Sequence, residues 1–357
     1  MANPDLYDEY EDPSARLILI TGSYGKTNCR DLIGRILKAA GYTSFCADHI
    51  EQLSQLPDKT DFALLSLPFP LLKSLRECKI QPDLVLITNV SSYPLYPYKR
   101  YRELLEEIDA FLLSLGRQTV YICNREYRFL ERSLERDMQT MKTLQFWAKG
   151  KLEEGVWATP EGEICLAANG QMTPLFREEE LLLQGERNIG IYLAAAAATC
   201  MYADAEQIRE ACLAFSGHPA HFCCYKRDRG VRLYMQLTTG LPSLAEAAFV
   251  GFKRRLTIVT GYLGKAPEDL PYQGYALMLS AYAKRLILFG ADRELIAYAV
   301  KKVGISKAAD LPIDFTETGR EALSYACNSA AAEEWIIFVP LDYIPGVSYE
   351  PKGGLQV

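Results

Sequence analysis

Short, unbroken apolar runs alternate with helix-length segments in the first part of the chain. The runs occupy residues 16–21, 62–67, 84–89 and 119–123. Segments with helical periodicity lie between them, at 29–40 and 101–115. Strands that are apolar throughout are buried on both faces, and their alternation with helices is typical of a parallel sheet. The pattern therefore predicts an α/β fold in which a mostly parallel sheet is flanked by helices.

The pattern changes after residue 150. Residues 155–176 alternate between apolar and polar side chains and contain Pro-Glu-Gly and Asn-Gly turns, which predicts an antiparallel hairpin. Two helices are predicted next, over 187–202 and 204–215, and Asp204 caps the second of them. A Gly-His-Pro sequence then ends the helical pattern, so we place a domain boundary near residue 220.

A second, smaller α/β domain of the Rossmann-like type is predicted beyond that boundary. Its strands are expected at residues 232–237, 256–261, 286–290 and 335–340. A chain of 357 residues is long enough for two domains. The sequence therefore predicts an acidic, disordered tail over 1–14, a first domain over 15–220 and a second domain over 221–357.

The segment between the first strand and the first helix has the composition of a phosphate-binding loop. It consists of Gly22, Ser23, Tyr24, Gly25, Lys26 and Thr27, followed by Asn28. A helix N-terminus presents unpaired N–H groups and a partial positive charge, and glycines let the backbone wrap an anion. Lys26 adds a full charge, and the Thr27 hydroxyl suits Mg²⁺. We therefore predict a short P-loop; the alternative is an ordinary turn that contains glycine and lysine.

Charge and cysteine content limit the classes of function. The net charge of −6 argues against nucleic acid as the main partner, since phosphate backbones require a basic surface. No apolar run approaches the roughly 20 residues of a membrane-spanning helix. The ten cysteines form no pair of C-x-x-C motifs, and the three histidines are too few for a His-rich metal site. These features favour a cytoplasmic protein with free thiols.

Several segments, in this order, resemble the Mur ligase family, and most of all its D-glutamate-adding members. The segment ITGSYGKTNCRDLIGRILKAAGY resembles the family's P-loop and the helix that follows it, and PDLVLITNVS resembles its Thr-Asn turn. The likeness runs from about residue 15 to the end of the chain. Its segments are residues 20–42, 82–91, 185–198, 214–222, 255–268 and 286–296.

The resemblance implies the fold of the family's central ATP-binding domain followed by its C-terminal domain. It also implies ATP and Mg²⁺ as cofactors, with nucleotide held by residues 22–28, Asn188 placed at the adenine and Thr27 on the metal. The family's reaction phosphorylates a carboxylate with ATP, and an amine then attacks the acyl phosphate in peptidoglycan biosynthesis. Because the P-loop strand begins about 15 residues into the chain, we expect no UDP-binding domain of the usual kind.

The sequence also departs from the family's pattern at positions that hold metal and substrate. Where the family has a metal-binding glutamate, the chain has Leu64-Leu65-Ser66-Leu67. The position of the family's modified lysine falls near Glu106 or Glu107 of this chain. The family's Asp-His pair, linker arginine, Asp-Ser-Lys segment and final Ser-Pro segment are also replaced. The replacing residues are 92–96, Phe222, 236–241 and 339–343. Other carboxylates are near in sequence and offer an alternative set of ligands: Asp61, Glu103, Glu106 and Asp109.

Two functional hypotheses follow. The first is an ATP-dependent carboxylate–amine ligase with an altered site. The second is a catalytically inactive homologue that binds nucleotide and acts as a scaffold or regulator of another cell-wall enzyme or subunit. The retained loop favours nucleotide binding in both hypotheses, and the lost carboxylate, histidine and lysine positions favour the second. Neither hypothesis assigns a catalytic residue to this chain. A third hypothesis, a P-loop kinase or NTPase unrelated to Mur ligases, is disfavoured by the predicted second α/β domain.

Overall fold

The computed structural model describes residues 15–91, 97–127, 143–147, 150–168, 170–219, 221–237, 252, 254–262, 272–303 and 311–341. These residues form two compact units. The first contains the described residues up to Leu181 together with Asn188–Phe215, and the second contains Leu182–Arg187 and the described residues from Ser216 onward. The chain leaves the first unit five residues before the predicted boundary at 220. The predicted tail over 1–14 lies outside the described residues.

The first unit is built on a sheet whose described part has nine strands in the order β2-β3-β1-β4-β5-β6-β7-β8-β9. Strands β1 to β7 run parallel to one another, β8 is antiparallel to β7, and β9 is antiparallel to β8. The strands are β1 (Arg16–Thr21), β2 (Ser44–Ala47), β3 (Phe62–Leu67), β4 (Leu84–Ile87), β5 (Val120–Asn124), β6 (Thr143–Trp147), β7 (Gly155–Ala158), β8 (Glu163–Ala168) and β9 (Gln171–Arg177). The predicted antiparallel segment over 155–176 is thus confirmed, as three strands rather than two.

Helices cover both faces of this sheet. They are α1 (Lys26–Ala39), α2 (Leu72–Glu77), α3 (Tyr101–Leu113), α4 (Glu186–Thr199) and α5 (Ala205–Leu213). In α1 the buried apolar residues Cys29, Leu32, Ile33, Ile36 and Leu37 recur at helical spacing and form one stripe. That stripe lies on the face of Leu64, whereas α2 and α3 pack into a core that contains Leu65 on the other face. The Asp204 cap is confirmed, since its carboxylate accepts a hydrogen bond from the Gln207 N–H at 2.8 Å.

The second unit contains a smaller sheet with the strand order β10-β11-β15-β12-β13-β14 in its described part. Strand β10 is antiparallel to β11, and the other pairs are parallel. The strands are β10 (Phe222–Lys226), β11 (Arg232–Gln236), β12 (Leu256–Gly261), β13 (Ala283–Phe289), β14 (Ile313–Thr316) and β15 (Trp335–Pro340). The helices are α6 (Tyr272–Tyr282), α7 (Arg293–Val303) and α8 (Gly319–Asn328). The predicted fold class, two mostly parallel sheets flanked by helices, is confirmed.

The position of β1 decides where a ligand can bind. Strand β1 lies between β3 and β4, and its register places Thr21 beside Leu67 on one side and Ile87 on the other. The three strands therefore end at the same edge of the sheet. In open α/β sheets, ligands bind outside the carboxyl ends of such strands. The segment over 22–25 leaves β1 at this edge and leads directly into α1.

Candidate functional site

Two glycines give the loop after β1 its shape. Gly22 has φ +150°, and a Cβ atom there would lie 2.1 Å from the Thr88 hydroxyl oxygen. Gly25 has φ +79°, a left-handed conformation that glycine adopts without strain, and a Cβ there would lie 3.1 Å from the Ile191 side chain. The loop is therefore pressed between the end of β4 and helix α4, and only glycine fits at its first position.

Asn89 fixes the loop through its side chain. Its carboxamide oxygen accepts a hydrogen bond from the Tyr24 N–H at 3.1 Å, and its Nδ2 donates to the Tyr24 carbonyl at 2.7 Å. Its backbone carbonyl accepts from the Ser23 N–H at 3.2 Å. Asn89 is buried, so water does not compete for these bonds. The sequence analysis did not assign Asn89 to the site; the signal was a polar Thr-Asn pair directly after the apolar strand beside β1.

The loop opens helix α1 with unpaired donors. Among the described residues, no acceptor lies on the backbone N–H groups of Gly25, Lys26 or Thr27, and the first intrahelical bond is Cys29 N–H to the Gly25 carbonyl at 2.9 Å. The first turn of α1 contains no acidic residue. These donors and the positive end of the helix dipole point at one place, which is the geometry of an anion site.

Lys26 spans this loop. Its Nζ donates a hydrogen bond to the Gly22 carbonyl at 2.8 Å. Burial lowers the pKa of Lys26 to about 8, because a desolvated ammonium group is less stable than a neutral amine. No carboxylate forms an ion pair with Lys26 in the described part of the chain. A bound phosphate would supply the missing negative charge.

The other predicted site residues lie around the same loop. The Ser23 hydroxyl accepts a hydrogen bond from the Ser91 N–H at 2.9 Å. Asn28 is buried in the first turn of α1. Asn188 lies in the first turn of α4, three residues before Ile191, whose side chain contacts the loop. Residues i and i+3 share a helix face, so Asn188 lies on the face of α4 that meets the loop. Its contact with adenine stays a prediction.

Arg30 is a second residue that sequence reasoning missed. Its guanidinium is buried and forms ion pairs with Asp48 at 2.6 Å and Asp31 at 3.1 Å. Asp48 directly follows β2, so the pair ties helix α1 to the edge of the sheet. These neighbours raise the pKa of Arg30, although its desolvation acts in the opposite direction. The two carboxylates nearest to the loop along α1 and β2 are therefore already neutralised by a cation.

The set of oxygen donors around the loop does not fit a protein-bound Mg²⁺. Mg²⁺ in proteins is usually held by one or two carboxylates in addition to substrate phosphates. Strand β3 ends in Ser66 and Leu67, and strand β4 is followed by Thr88 and Asn89, none of which is a carboxylate. Among the described residues, no group of three His, Cys, Asp or Glu side chains can hold a metal ion. Thr27 alone remains as a predicted ligand.

Of the alternative carboxylates named from sequence, Asp61, Glu103 and Glu106 have other partners, and the role of Asp109, later in α3, stays a prediction. Asp61 precedes β3 and accepts hydrogen bonds from Thr43 at 2.7 and 2.8 Å, at the amino edge of the sheet. That edge is about 16 Å from the loop, the length of a six-residue strand. The Glu103 carboxylate accepts from the Lys99 N–H at 2.9 Å, and Glu106 pairs with Arg102 at 2.8 Å on an exposed face of α3. Glu107 lies 3.9 Å from Arg76.

Other predicted features fall on residues that the structure does not describe. These are the segment 92–96, residues 238–241 of the segment 236–241 and residues 342–343 of the segment 339–343. The family's positions there are neither confirmed nor corrected. His221, in the segment that resembles the family's linker, has its ring 4.9 Å from that of His218. All ten cysteines are free.

Thr21 offers a test of the local packing. It ends β1, its side chain is fully buried, and its hydroxyl has no hydrogen-bond partner among the described residues. We expect Thr21→Val to leave the free energy of unfolding unchanged or to raise it by up to about 1 kcal/mol, since it removes an unpaired polar group. Urea denaturation followed by circular dichroism measures this.

The matched control is Thr88→Val, at the neighbouring strand end. The Thr88 hydroxyl lies 3.2 Å from the Thr21 carbonyl and 3.1 Å from the Tyr24 carbonyl and donates between them. Loss of the Thr88 hydroxyl should lower the free energy of unfolding by about 1–2 kcal/mol. If Thr21→Val instead destabilised the protein by more than about 1 kcal/mol, the Thr21 hydroxyl would have a partner in solution.

Fold and site together define an α/β protein with a P-loop-type sheet and a second, smaller α/β unit. Comparison with curated proteins makes the resemblance specific. The chain is 27% identical over 341 residues to UDP-N-acetylmuramoylalanine–D-glutamate ligase of Ruminiclostridium cellulolyticum, which covers 91% of this chain and 70% of that protein. It is 24% identical over 337 residues to the enzyme of the same name in Clostridium perfringens, covering 91% and 69%. The chain is thus Mur-ligase-like, as its sequence segments predicted.

Solved structures show the same fold. One is a UDP-N-acetylmuramoyl-L-alanyl-D-glutamate–2,6-diaminopimelate ligase, with a TM-score of 0.64 and 18% identity over 92% of this chain and 73% of that one. Another is a UDP-N-acetylmuramoylalanyl-D-glutamyl-2,6-diaminopimelate–D-alanyl-D-alanyl ligase from Acinetobacter baumannii, with a TM-score of 0.62 and 16% identity over 92% and 72%. No protein-family model matches the chain. In the part of the chain that the structure describes, no helix is long and apolar enough to cross a bilayer.

Proposed function

We propose that this protein binds ATP at the loop over residues 22–27, with the triphosphate on the N-terminus of α1 and the base toward Asn188. The observation that carries the proposal is the set of donors at the loop. Within the described residues, three N–H groups have no acceptor and the desolvated Lys26 has no carboxylate partner. An unpaired, partly desolvated cation and a helix N-terminus together favour a polyanionic ligand.

The reaction class comes from the relatives. Both relatives are named UDP-N-acetylmuramoylalanine–D-glutamate ligase, and this resemblance supports an ATP-dependent carboxylate–amine ligase of cytoplasmic peptidoglycan biosynthesis. In such a reaction the loop would orient the γ-phosphoryl group toward a carboxylate acceptor, and Lys26 would stabilise charge on the transferring group. Neither a UDP-linked acceptor nor a particular amine is assigned by the residues of this loop.

A second candidate function is a catalytically inactive homologue that binds nucleotide and regulates another cell-wall enzyme or subunit. The observation that favours it is the donor set: the strand ends beside the loop provide a hydroxyl and a fully bonded amide where carboxylates are needed for metal-assisted phosphoryl transfer. Nucleotide binding is common to both candidates, and turnover separates them.

Two measurements, made one after the other, test the proposal. Isothermal titration with ATP in the presence of Mg²⁺ should give a saturable heat with one nucleotide per chain. A phosphate-release assay with D-glutamate, L-glutamate, L-lysine and diaminopimelate then decides between the candidates. Phosphate release that depends on one of these amines supports the ligase, and tight binding without turnover supports the inactive homologue. Absence of ATP binding would overturn both.

A further inference from the structure

We propose that the loop over 22–27 binds ATP without the help of a divalent cation, so that free ATP and Mg²⁺–ATP bind with similar affinity. The inference rests on the proposed ATP binding and deepens it, because it states which form of the nucleotide the site recognises. It is carried by the placement of charged and polar groups at the carboxyl ends of β1, β3 and β4.

The strand ends on either side of the loop present no negative charge. Ser66 lies beside Ile20 in the parallel register, one position before the end of β3, and is buried between Leu65 and Leu67. On the other side, Asn89 uses its carboxamide to bond both backbone groups of Tyr24 and also donates to the Thr88 hydroxyl at 3.1 Å. Its oxygen therefore serves the loop and is not offered to a cation.

Asp48 and Asp31, on the β2 side of this edge, are paired with a buried cation, and Glu126, which follows β5 at the same edge, is exposed. Asp48 follows β2, which is two strands from β1, a separation of about 9.5 Å. It lies 2.6 Å from the buried Arg30 guanidinium, which also pairs with Asp31 at 3.1 Å. A cation that took Asp48 as a ligand would have to displace Arg30 and leave a buried guanidinium with one partner fewer, which is costly.

The positive groups at the loop point to the phosphates instead. The N–H groups of Gly25, Lys26 and Thr27 have no acceptor among the described residues, and the Lys26 ammonium lies 2.8 Å from the Gly22 carbonyl. All four can interact with phosphate oxygens directly. A carboxylate beside the loop would repel free ATP, and a divalent cation would then be needed to bridge the two anions. Without that carboxylate, removal of the cation leaves the direct interactions in place and increases the negative charge that Lys26 attracts.

The direct test is a pair of ATP titrations of the whole protein, one in excess EDTA and one in excess Mg²⁺, at the same ionic strength. We expect the two dissociation constants to agree within about tenfold. Binding in Mg²⁺ with no detectable binding in EDTA would overturn the inference and leave the proposed function standing. No binding in either buffer would overturn the proposed function itself.

A matched pair of variants makes the test more specific. Ser66→Glu places a carboxylate at the end of β3 beside the loop, and Ser66→Gln adds the same volume without the charge. The Glu variant should bind ATP more weakly in EDTA and regain affinity in Mg²⁺. The ratio of its dissociation constant in EDTA to that in Mg²⁺ should be more than about tenfold larger than the same ratio for the Gln variant. Equal ratios in the two folded variants would contradict the inference, because the strand end would then not influence the phosphates.

A metal-binding measurement, which needs no substitution at Ser66, covers the case in which buried glutamate prevents folding. Mn²⁺ can replace Mg²⁺ and is visible by electron paramagnetic resonance. The nucleotide-free protein should bind no Mn²⁺ at the loop up to millimolar concentration. Mn²⁺ bound in the micromolar range, and released by Thr27→Ala, would overturn the inference, since the loop would then hold a divalent cation with its own residues.

Discussion

Lys26→Met is expected to weaken ATP binding by at least about a hundredfold at pH 7, which corresponds to about 2.7 kcal/mol. The variant keeps most of the apolar stem of the side chain and removes the ammonium group that bonds the Gly22 carbonyl at 2.8 Å. That ammonium is the one full positive charge that the loop sequence Gly22–Thr27 contains, and it is partly desolvated, so its attraction for phosphate is weakly screened. Isothermal titration of both proteins measures the loss.

The pH dependence of binding provides an independent readout. In the free protein the pKa of Lys26 is lowered to about 8 by burial, and a bound phosphate should raise it again. ATP affinity should therefore be highest below pH 8 and fall as the pH rises above it. Near pH 8.5 the protein should take up a proton on binding, which appears as a dependence of the binding enthalpy on the ionisation enthalpy of the buffer. Any residual binding by Lys26→Met should lack this dependence.

Stability should change with pH in the opposite direction. Because the folded pKa of Lys26 lies below that of the unfolded chain, the unfolded state binds more protons between about pH 8 and pH 10.5. The free energy of unfolding should therefore rise across that window in the unliganded protein relative to Lys26→Met. A variant with unchanged ATP affinity and an unchanged stability profile would mean that the loop is only a turn between β1 and α1.

Local sequence patterns were sufficient to predict the parallel strands β1, β3, β4 and β5 and helix α1. Strand β1 is apolar throughout and helix α1 carries apolar residues at positions 29, 32, 33, 36 and 37, so each element is specified by its own periodicity. Short edge strands gave no such signal. Strand β2 has four residues, three of them partly or fully exposed, and β14 is equally short. Their pairing with longer neighbours, rather than their composition, makes them strands.

The candidate site also contains residues that the sequence predicted and residues that it did not. The loop, Lys26 and Thr27 were predicted because glycine, lysine and threonine at that spacing have a direct physical role. Asn89 was not predicted, although it holds the loop in place, because a hydrogen bond across 65 residues leaves no periodic trace in the sequence. The pairing of Arg30 with Asp48 is similar, since it joins residues 18 apart on different elements. Such contacts follow from the topology of the sheet.

Asn89→Leu is the second substitution for which we expect a large effect. Leucine preserves approximate volume but leaves the Tyr24 N–H and carbonyl without the bonds at 3.1 and 2.7 Å that Asn89 provides. Asn89 is buried, so water cannot easily replace those bonds. The free energy of unfolding should fall by about 2–4 kcal/mol, and ATP affinity should fall by more than about tenfold because the loop donors lose their alignment.

Gln81→Leu is the control for this prediction. The Gln81 carboxamide also bonds two backbone groups, donating to the Ser114 carbonyl at 3.2 Å and accepting from the Gly116 N–H at 2.9 Å. It lies before β4, at the opposite edge of the sheet, and it is exposed. Loss of the Gln81 carboxamide should lower the free energy of unfolding by less than about 1 kcal/mol and leave ATP affinity unchanged. If Asn89→Leu lost stability but bound ATP like the wild type, Asn89 would stabilise the sheet edge without positioning the loop.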